Sequence, residues 1–591
     1  MATHTTPEDW GAAGNGVADD TAAFVTAANH AVINGLTLWG RRGSRYRFAS
    51  TAMLPAGLRF SGEGCTIVAT DHITMIKFQG GGWRFYDCVI EGPDQHGYNA
   101  NGLGIVCRGD IETSARAAGI APNYFEDMVV EGVEFVGLGH TALDFWFARG
   151  IRTRDLSFRR IGYAGLIGYT VEDFDGHGFD IDTLYGETSS GELNCYGVGF
   201  TSRVDSVDPV RDPPSRRCYA HHGRARNQPS WHMLDTHGGR MIGFADWEIS
   251  NARRAVAITH RGTDSAHDCY VRDIRAFNDL PFEILPNGNL TPESVNANGY
   301  LKKDSALWIT GVATSPSRGV TVDRFFAEGH SRPGDRDGAF FIENADAILR
   351  DITDKGSFVN GVNVNGGFTG RIERHKCIDL TSWNPNNFPA GSWANRHGNA
   401  GPRPIEVRGS NNDLRYEGEY LRATSLPPGV SDLEVVITDP SPTNRLKLIG
   451  NGIKNRADGG IYLTGSSSDE NFVTGNYERR MMLAAGAGEF GAGAQGEARC
   501  TRDGDVIVVE LPSIGGTSTS TGFSLGTLTA NFRPRSKQSF IARGTDNGIA
   551  VTTVVELGAD GKIILGREVA NGAWTASGTK GLAAVTLSFS V

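Results

Sequence analysis

Apolar positions along this chain come in short runs rather than in long helical stripes. From about residue 60 to 470, Ile67–Val68, Val89–Ile90, Val129–Val130, Leu156–Phe158 and Ile348–Leu349 alternate with turns rich in Asn, Asp, Gly and Arg. Runs this short, bounded by turn formers, predict many short strands. One stretch breaks the pattern. Ala22, Ala23, Phe24, Ala27, Ala28, Ala31 and Val32 recur at helical spacing, with Asp19-Asp20-Thr21 as N-cap residues and Asn34-Gly35 as the stop. A single short helix is predicted from about Thr21 to Val32. Strand-like runs follow at Leu36–Trp39, Arg45–Phe48 and Leu58–Phe60.

The strand-rich region echoes itself. Val322–Gly329 is answered by Ile348–Gly356, 26 residues later, and Asp235–Gly239 by Ile258–Gly262, 23 residues later. Such a period suits a coil of three short strands with loops of variable length. Coils of this kind stack at the ~4.8 Å strand spacing. Leucine-rich, WD40 and tetratricopeptide signatures are absent.

The segments DWGAAGNGVADDTAAFVTAANHA, RRGSRYRF and FSGEGCTIV, in that order, resemble the opening of the pectate-lyase superfamily. That resemblance implies an all-β fold: a right-handed, single-stranded parallel β-helix whose N-terminal helix caps the first coil. A cap has a physical purpose, because the first coil of a solenoid would otherwise expose its core and an unpaired edge. The expected partition is a cap over 1–60, a β-helix over 61–480, a Gly/Ala-rich linker over 481–498 and a small β-sandwich over 499–591. The last segment carries LGTLTANFRPRSKQSF and VVELGADGKIIL, with a tight-turn Asp560-Gly561. It resembles the C-terminal modules of phage tail proteins.

Composition narrows the functional classes. The 591 residues include 78 glycines, about 13% against a usual ~7%, without a collagen period. Net charge is −10, which disfavours nucleic acid as the general partner. The eight cysteines lie far apart with no CxxC pair, so buried thiols are expected rather than zinc or redox motifs. The N-terminus has no signal-peptide pattern, and no apolar run approaches the ~20 residues that span a bilayer, so no membrane partner is expected.

The densest chemistry lies in 216–261, where eight arginines and five histidines stand against three acids, Asp235, Asp246 and Glu248. A cationic stretch in an acidic chain points to an anionic ligand, and arginine forks suit carboxylates. The 23-residue echo would stack His237 beside His260, with Glu283 one coil further on. Candidate catalytic residues are therefore Asp235, His237, Glu248, His260 and Glu283. Candidate substrate-binding residues are Trp231, His232, Arg240, Trp247, Arg253, Arg254 and Arg261. Two mechanisms fit this set. In β-elimination from a uronate, a histidine removes the C–H proton while Arg253, Arg254 or Arg261 neutralises the carboxylate. In hydrolysis, two carboxylates among Asp235, Glu248 and Glu283 flank the glycosidic bond. The abundance of Arg and His favours elimination.

Other features add less. Asp173, Asp175, Asp180 and Asp182 fall within ten residues, and a loose calcium site is the minor expectation there; otherwise no cofactor or metal is expected. Sugar-stacking aromatics are offered by Trp146, Tyr163, Tyr169, Tyr185, Trp231, Trp247, Trp308, Trp383 and Trp393. An irregular insertion at 381–402 carries the last two.

The whole resembles a phage tailspike-type depolymerase. The resemblance implies binding and cleavage of an acidic bacterial capsule, exopolysaccharide or O-antigen by a virion-tail homotrimer. Alternatives are an endo-glycosidase or a non-catalytic carbohydrate-binding adhesin on the same scaffold. Only about seven residues precede the cap motif, so attachment through a phage tail or baseplate adaptor, or a trimmed N-terminus, is expected.

Overall fold

The computed structural model describes residues 3–94, 98–109, 123–185, 195–202, 212–295, 301–331, 338–357, 360–380, 385–397, 403–421, 435–437, 445–450, 461–463, 472–475, 477–484, 495–503, 506–517, 523–528, 533–566, 574–575 and 578–590. It divides into two compact units: residues 1–370, 375–402 and 422–430, and residues 371–374, 403–421 and 431–591.

The first unit opens with the predicted helix, α1 (Thr21–Ile33). Its buried stripe of Phe24, Ala27, Ala28 and Ala31 closes the first coil, with the Phe24 ring 5.6, 5.2 and 5.4 Å from those of Tyr46, Phe48 and Phe60. The two aspartates before it divide the work. Asp19 Oδ1 accepts the backbone N–H of Thr21 at 3.1 Å. Asp20, expected to cap the helix, is buried and instead accepts N–H groups of Ala13, Gly14 and Arg47 at 2.6, 3.2 and 3.3 Å. It ties the glycine-rich turn to the next strand, because buried backbone donors need partners.

Behind the cap the strands pair in parallel, coil upon coil, as a β-helix. The strands that carry the candidate chemistry are β1 (Thr141–Ile161), β2 (Ala164–Leu184), β3 (Tyr196–Thr201), β4 (Arg216–His237), β5 (Arg240–Thr259), β6 (Tyr270–Phe277) and β7 (Leu307–Thr310). β1 and β2 are each 21 residues long and pair with a constant offset, Thr141 with Ala164 and Ile161 with Leu184. Such strands bend at single left-handed residues. One corner ladder runs Gly132, Asp155, Gly178, His222, Asp246, Asp273, Arg324 and Asp351, all at φ between 51° and 74°. A single left-handed residue turns the chain without ending the ladder, and Asp and Gly tolerate it best. Inward residues stack on their own kind, as Phe135 does on Phe158 with centroids 5.4 Å apart. All eight cysteines are buried and unbridged.

Register corrects both sequence echoes by one residue, in opposite directions. Thr321, not Val322, pairs with Ile348, and His237 pairs with Thr259 rather than His260.

In the second unit, Asp413–Leu421, Arg445–Gly450 and Phe472–Gly475 continue parallel pairing. Among the described residues two antiparallel sheets of four and six strands follow, with Asp560-Gly561 turning between two strands of the larger. The stretch expected as a linker is bounded by paired strands, Tyr477–Ala484 against Gln495–Asp503; residues 485–494 lie outside the described residues. Among the described residues no helix is long and apolar enough to cross a membrane.

Candidate functional site

The outward face at the end of β4 holds the candidate site. Leu234 and Thr236 point into the core, level with Val198 and Phe200 of β3 and Val256 and Ile258 of β5. Asp235 and His237, two apart, therefore share the outer face. The neighbours of Asp235 across the ladder are Gly199 and Ala257. Their small size leaves room for rings, and Tyr163, Tyr169, Tyr196 and Trp231 pack there with Ile167.

Asp235 is the hub. It is 2% exposed, and its Oδ1 lies 2.6 Å from His232 Nδ1. Its Oδ2 lies 3.0 Å from His237 Nε2, within ion-pair reach but out of line for a good hydrogen bond. His232 Nε2 stands 2.9 Å from Arg254 Nη1. A guanidinium only donates, so His232 Nε2 accepts, its proton sits on Nδ1, and that N–H donates to Asp235. The ring is neutral. Burial, aided by the Arg254 charge and outweighing the pull of Asp235, holds the His232 pKa down to about 4. Burial alone would raise Asp235, but the neighbouring His237 and His232 outweigh it and hold the carboxyl at about 2.

Arg254 is fixed in turn. Its Nη2 lies 2.6 Å from Asp304 Oδ2, and its guanidinium covers the Trp308 ring at 3.0 Å from the centroid. Arg253 donates to the Ser230 carbonyl at 3.1 Å and reaches the same Asp304 at 3.2 Å. The array Asp304–Arg254–His232–Asp235–His237 thus joins β4, β5 and the segment before β7.

A cavity of about 20 Å³ is lined by Asp235, His237, Tyr163, Tyr169, Tyr196 and Arg261, among others. That is room for one water-sized group. A sugar could enter it only through a single protruding substituent. Burial pushes the phenols of Tyr163 and Tyr196 up, so both keep their protons at neutral pH.

His232, Asp235 and His237 each offer a metal-ligating atom within 4.8 Å of the others. Their 2.6 and 3.0 Å separations belong to paired groups, whereas ligands each ~2.0–2.2 Å from one ion stand farther apart. The second nitrogen of His232 also faces Arg254. As folded, this is a proton-ordering array rather than a chelate.

Several sequence-predicted residues lie elsewhere. His260 follows the end of β5, exposed, with Nδ1 3.1 Å from the Gly262 carbonyl. The stacked position two strands beyond Asp235 belongs to Trp308, because an excursion from Asn278 to Ser305 intervenes. Glu283 sits in that excursion, its backbone bonded to Ser294 and Thr291. Arg253 and Arg254 are each 3% exposed and serve the buried array, so they are not open to a sugar carboxylate. Arg240 is exposed, 3.7 Å from Asp264. Trp247 is core: 2% exposed, donating to the Ala220 carbonyl at 3.0 Å and stacked on Phe179. Glu248 lies on another wall. Of the four arginines proposed for binding, Arg261 alone lines the cavity.

The four aspartates of 173–182 take separate partners, Arg217, His221, Arg159 and Arg226. Trp383 lies outside the described residues. Trp393 packs edge-on to Phe282 in the neighbouring excursion, with centroids 6.0 Å apart. Asp304 and Tyr196 were not singled out by sequence; neither sits in a motif, and only folding brings them to the array.

No family model and no curated protein matches the chain. Among solved structures, a tailspike protein mutant of E. coli bacteriophage HK620 is similar over 99% of this chain and 92% of its own, at 10% identity and a TM-score of 0.49. The Dettilon tailspike protein is similar over 99% and 95%, at 12% identity and a TM-score of 0.46. The catalytic unit of a GH87 α-1,3-glucanase from Streptomyces thermodiastaticus covers 80% and 70%, at 12% identity and a TM-score of 0.33. At such identities and scores no residue role passes from them to this chain, whose parallel β-helix rests on its own strand pairing.

Proposed function

We propose that this protein is a phage tailspike-type depolymerase that binds an acidic bacterial surface polysaccharide and cleaves it by β-elimination. The observation that carries the reading is the ordered pair Asp235–His237 beside Arg261 in a cavity sized for one substituent. One oxygen of the uronate carboxylate enters and meets Arg261. Withdrawal of its charge acidifies the neighbouring C–H. His237, whose Nε2 lies 3.0 Å from the ionised Asp235, takes that proton on Nδ1. The electron pair forms the C=C bond and the glycosidic C–O bond breaks. The leaving oxygen takes a proton from a neutral phenol of the cavity, Tyr196.

Hydrolysis by paired carboxylates has less support at this site. Along the same outward ladder rows the carboxylates nearest to Asp235 and His237 are Asp144 and Glu343, each three strands away. Three spacings are ~14 Å, beyond the ~5–9.5 Å that glycosidases use. Asp304 is already held by two arginines. A homotrimer on a virion tail, attached through an adaptor, completes the proposal.

The test is incubation with acidic polysaccharides while following unsaturated-uronate absorbance and reducing ends together. Both signals rising together is the expected result. Reducing ends without absorbance would overturn elimination, and binding without either would make the protein an adhesin.

A further inference from the structure

A different wall of the β-helix carries a second built feature. Register places Asp180 of β2, Arg224 of β4, Glu248 of β5 and Arg275 of β6 side by side on successive strands. The charge alternates in sign at every step. An open groove of about 480 Å³ runs over this row and is lined also by corner residues His222 and Asp273. This volume falls within the ~300–1,000 Å³ typical of ligand sites. Asp180 is engaged by Arg159 at 3.2 Å. Arg224, Glu248 and Arg275 are exposed and enter no ion pair among the described residues. The three heads neighbour one another without pairing, and Arg275 lies over the Phe277 ring, 5.5 Å from its centroid, a face contact that leaves its N–H edge to a ligand.

We infer that this groove is a second saccharide site, separate from the His237 array, which holds an acidic glycan bearing a carboxylate on every second sugar. Arg224 and Arg275 stand two strand spacings apart, ~10 Å, comparable to two residues of an extended glycan lying along the helix axis. Each fork donates to a carboxylate. Glu248 stands midway, where it accepts hydroxyl hydrogen bonds from the intervening neutral sugar and repels an acid at that position. The inference rests on the proposed function only in taking the same polymer class as ligand. A site that holds without cutting keeps a long polymer near the array by raising its effective concentration.

The experiment uses the full chain carrying His237→Ala, so that nothing is cleaved, titrated calorimetrically with a hexasaccharide in which uronate alternates with neutral hexose. Two sites per chain are expected, and Arg224→Gln with Arg275→Gln leaves one. With His237 intact, the same double substitution should cleave the short oligosaccharide at the parent rate. It should bind long polymer roughly tenfold more weakly or worse. An unchanged stoichiometry, no binding at all, or equal occupancy by a neutral hexasaccharide overturns the inference. Loss of cleavage on replacing both arginines would place the chemistry in the groove and also overturn it. A changed sedimentation coefficient with unchanged stoichiometry would instead mark the wall as a contact between copies. Absence of cleavage by the parent, with two sites still titrating, would count against the proposed function alone.

Discussion

Arg254 stands 2.9 Å from the Nε2 of His232, and a residue that can only donate therefore decides where the proton of that histidine sits. Protonating His232 would turn an acceptor into a second donor facing a guanidinium. The folded-state pKa of about 4 lies below an unperturbed ~6.5. The folded state thus binds fewer protons than the unfolded one. The stability tied to neutral His232 is complete above ~6.5 and is lost as pH falls from there towards about 4. Asp235, held at about 2, loses its contribution further down, between ~4 and 2. The urea midpoint should fall between pH 6.5 and 4 in the parent, and His232→Gln should flatten that slope.

Substitutions around the cavity should separate the array from its sequence neighbours. His237→Ala should lower the rate of unsaturated-uronate formation by ~10²–10⁴-fold. Asp235→Asn should lower the maximal rate more than it weakens binding. His260→Ala and Glu283→Gln, at residues that neither line the cavity nor join the array, should leave the rate within about twofold. Loss of activity in either of the last two would return them to the site.

Gly223 leaves the space that the Trp247 ring fills, since a Cβ there would lie 2.3 Å from that ring. Gly223→Ala should cost ~1–3 kcal/mol by overpacking. Trp247→Phe should cost stability alone yet recover part of the loss in the double variant. Urea unfolding of the four proteins measures the coupling, and simple additivity would rule out the steric account.

Asp354 is fully buried, with Ser357 donating a hydrogen bond to its carboxyl, and burial raises its pKa to about 8. Its folded pKa exceeds the unfolded ~3.9, so stability is complete below ~4 and declines as pH rises to about 8. Asp354→Asn should raise the thermal midpoint at pH 8 and leave it nearly unchanged at pH 4. A fall at pH 8 would show that the carboxylate is ionised and paired.

The sequence alone determined what is local or repeated. The α1 stripe, the Asp19-Asp20 pair, the short apolar runs and the Asp560-Gly561 turn each act within a few residues, so helix, strands and turn were legible. It also marked the stretch that carries Asp235 and His237, because cationic excess is a property of composition. Pairing across coils was another matter. The echoes sat one residue off the true register, and in a strand one residue reverses the face that a side chain presents. That slip put His260 beside His237. Excursions between coils removed Glu283 from the stack and put Trp308 there, since loop length between coils is free to vary while the register is not. Burial of Arg253 and Arg254 was equally illegible, because their partner Asp304 lies some fifty residues away and is brought to them only by the stacking of coils.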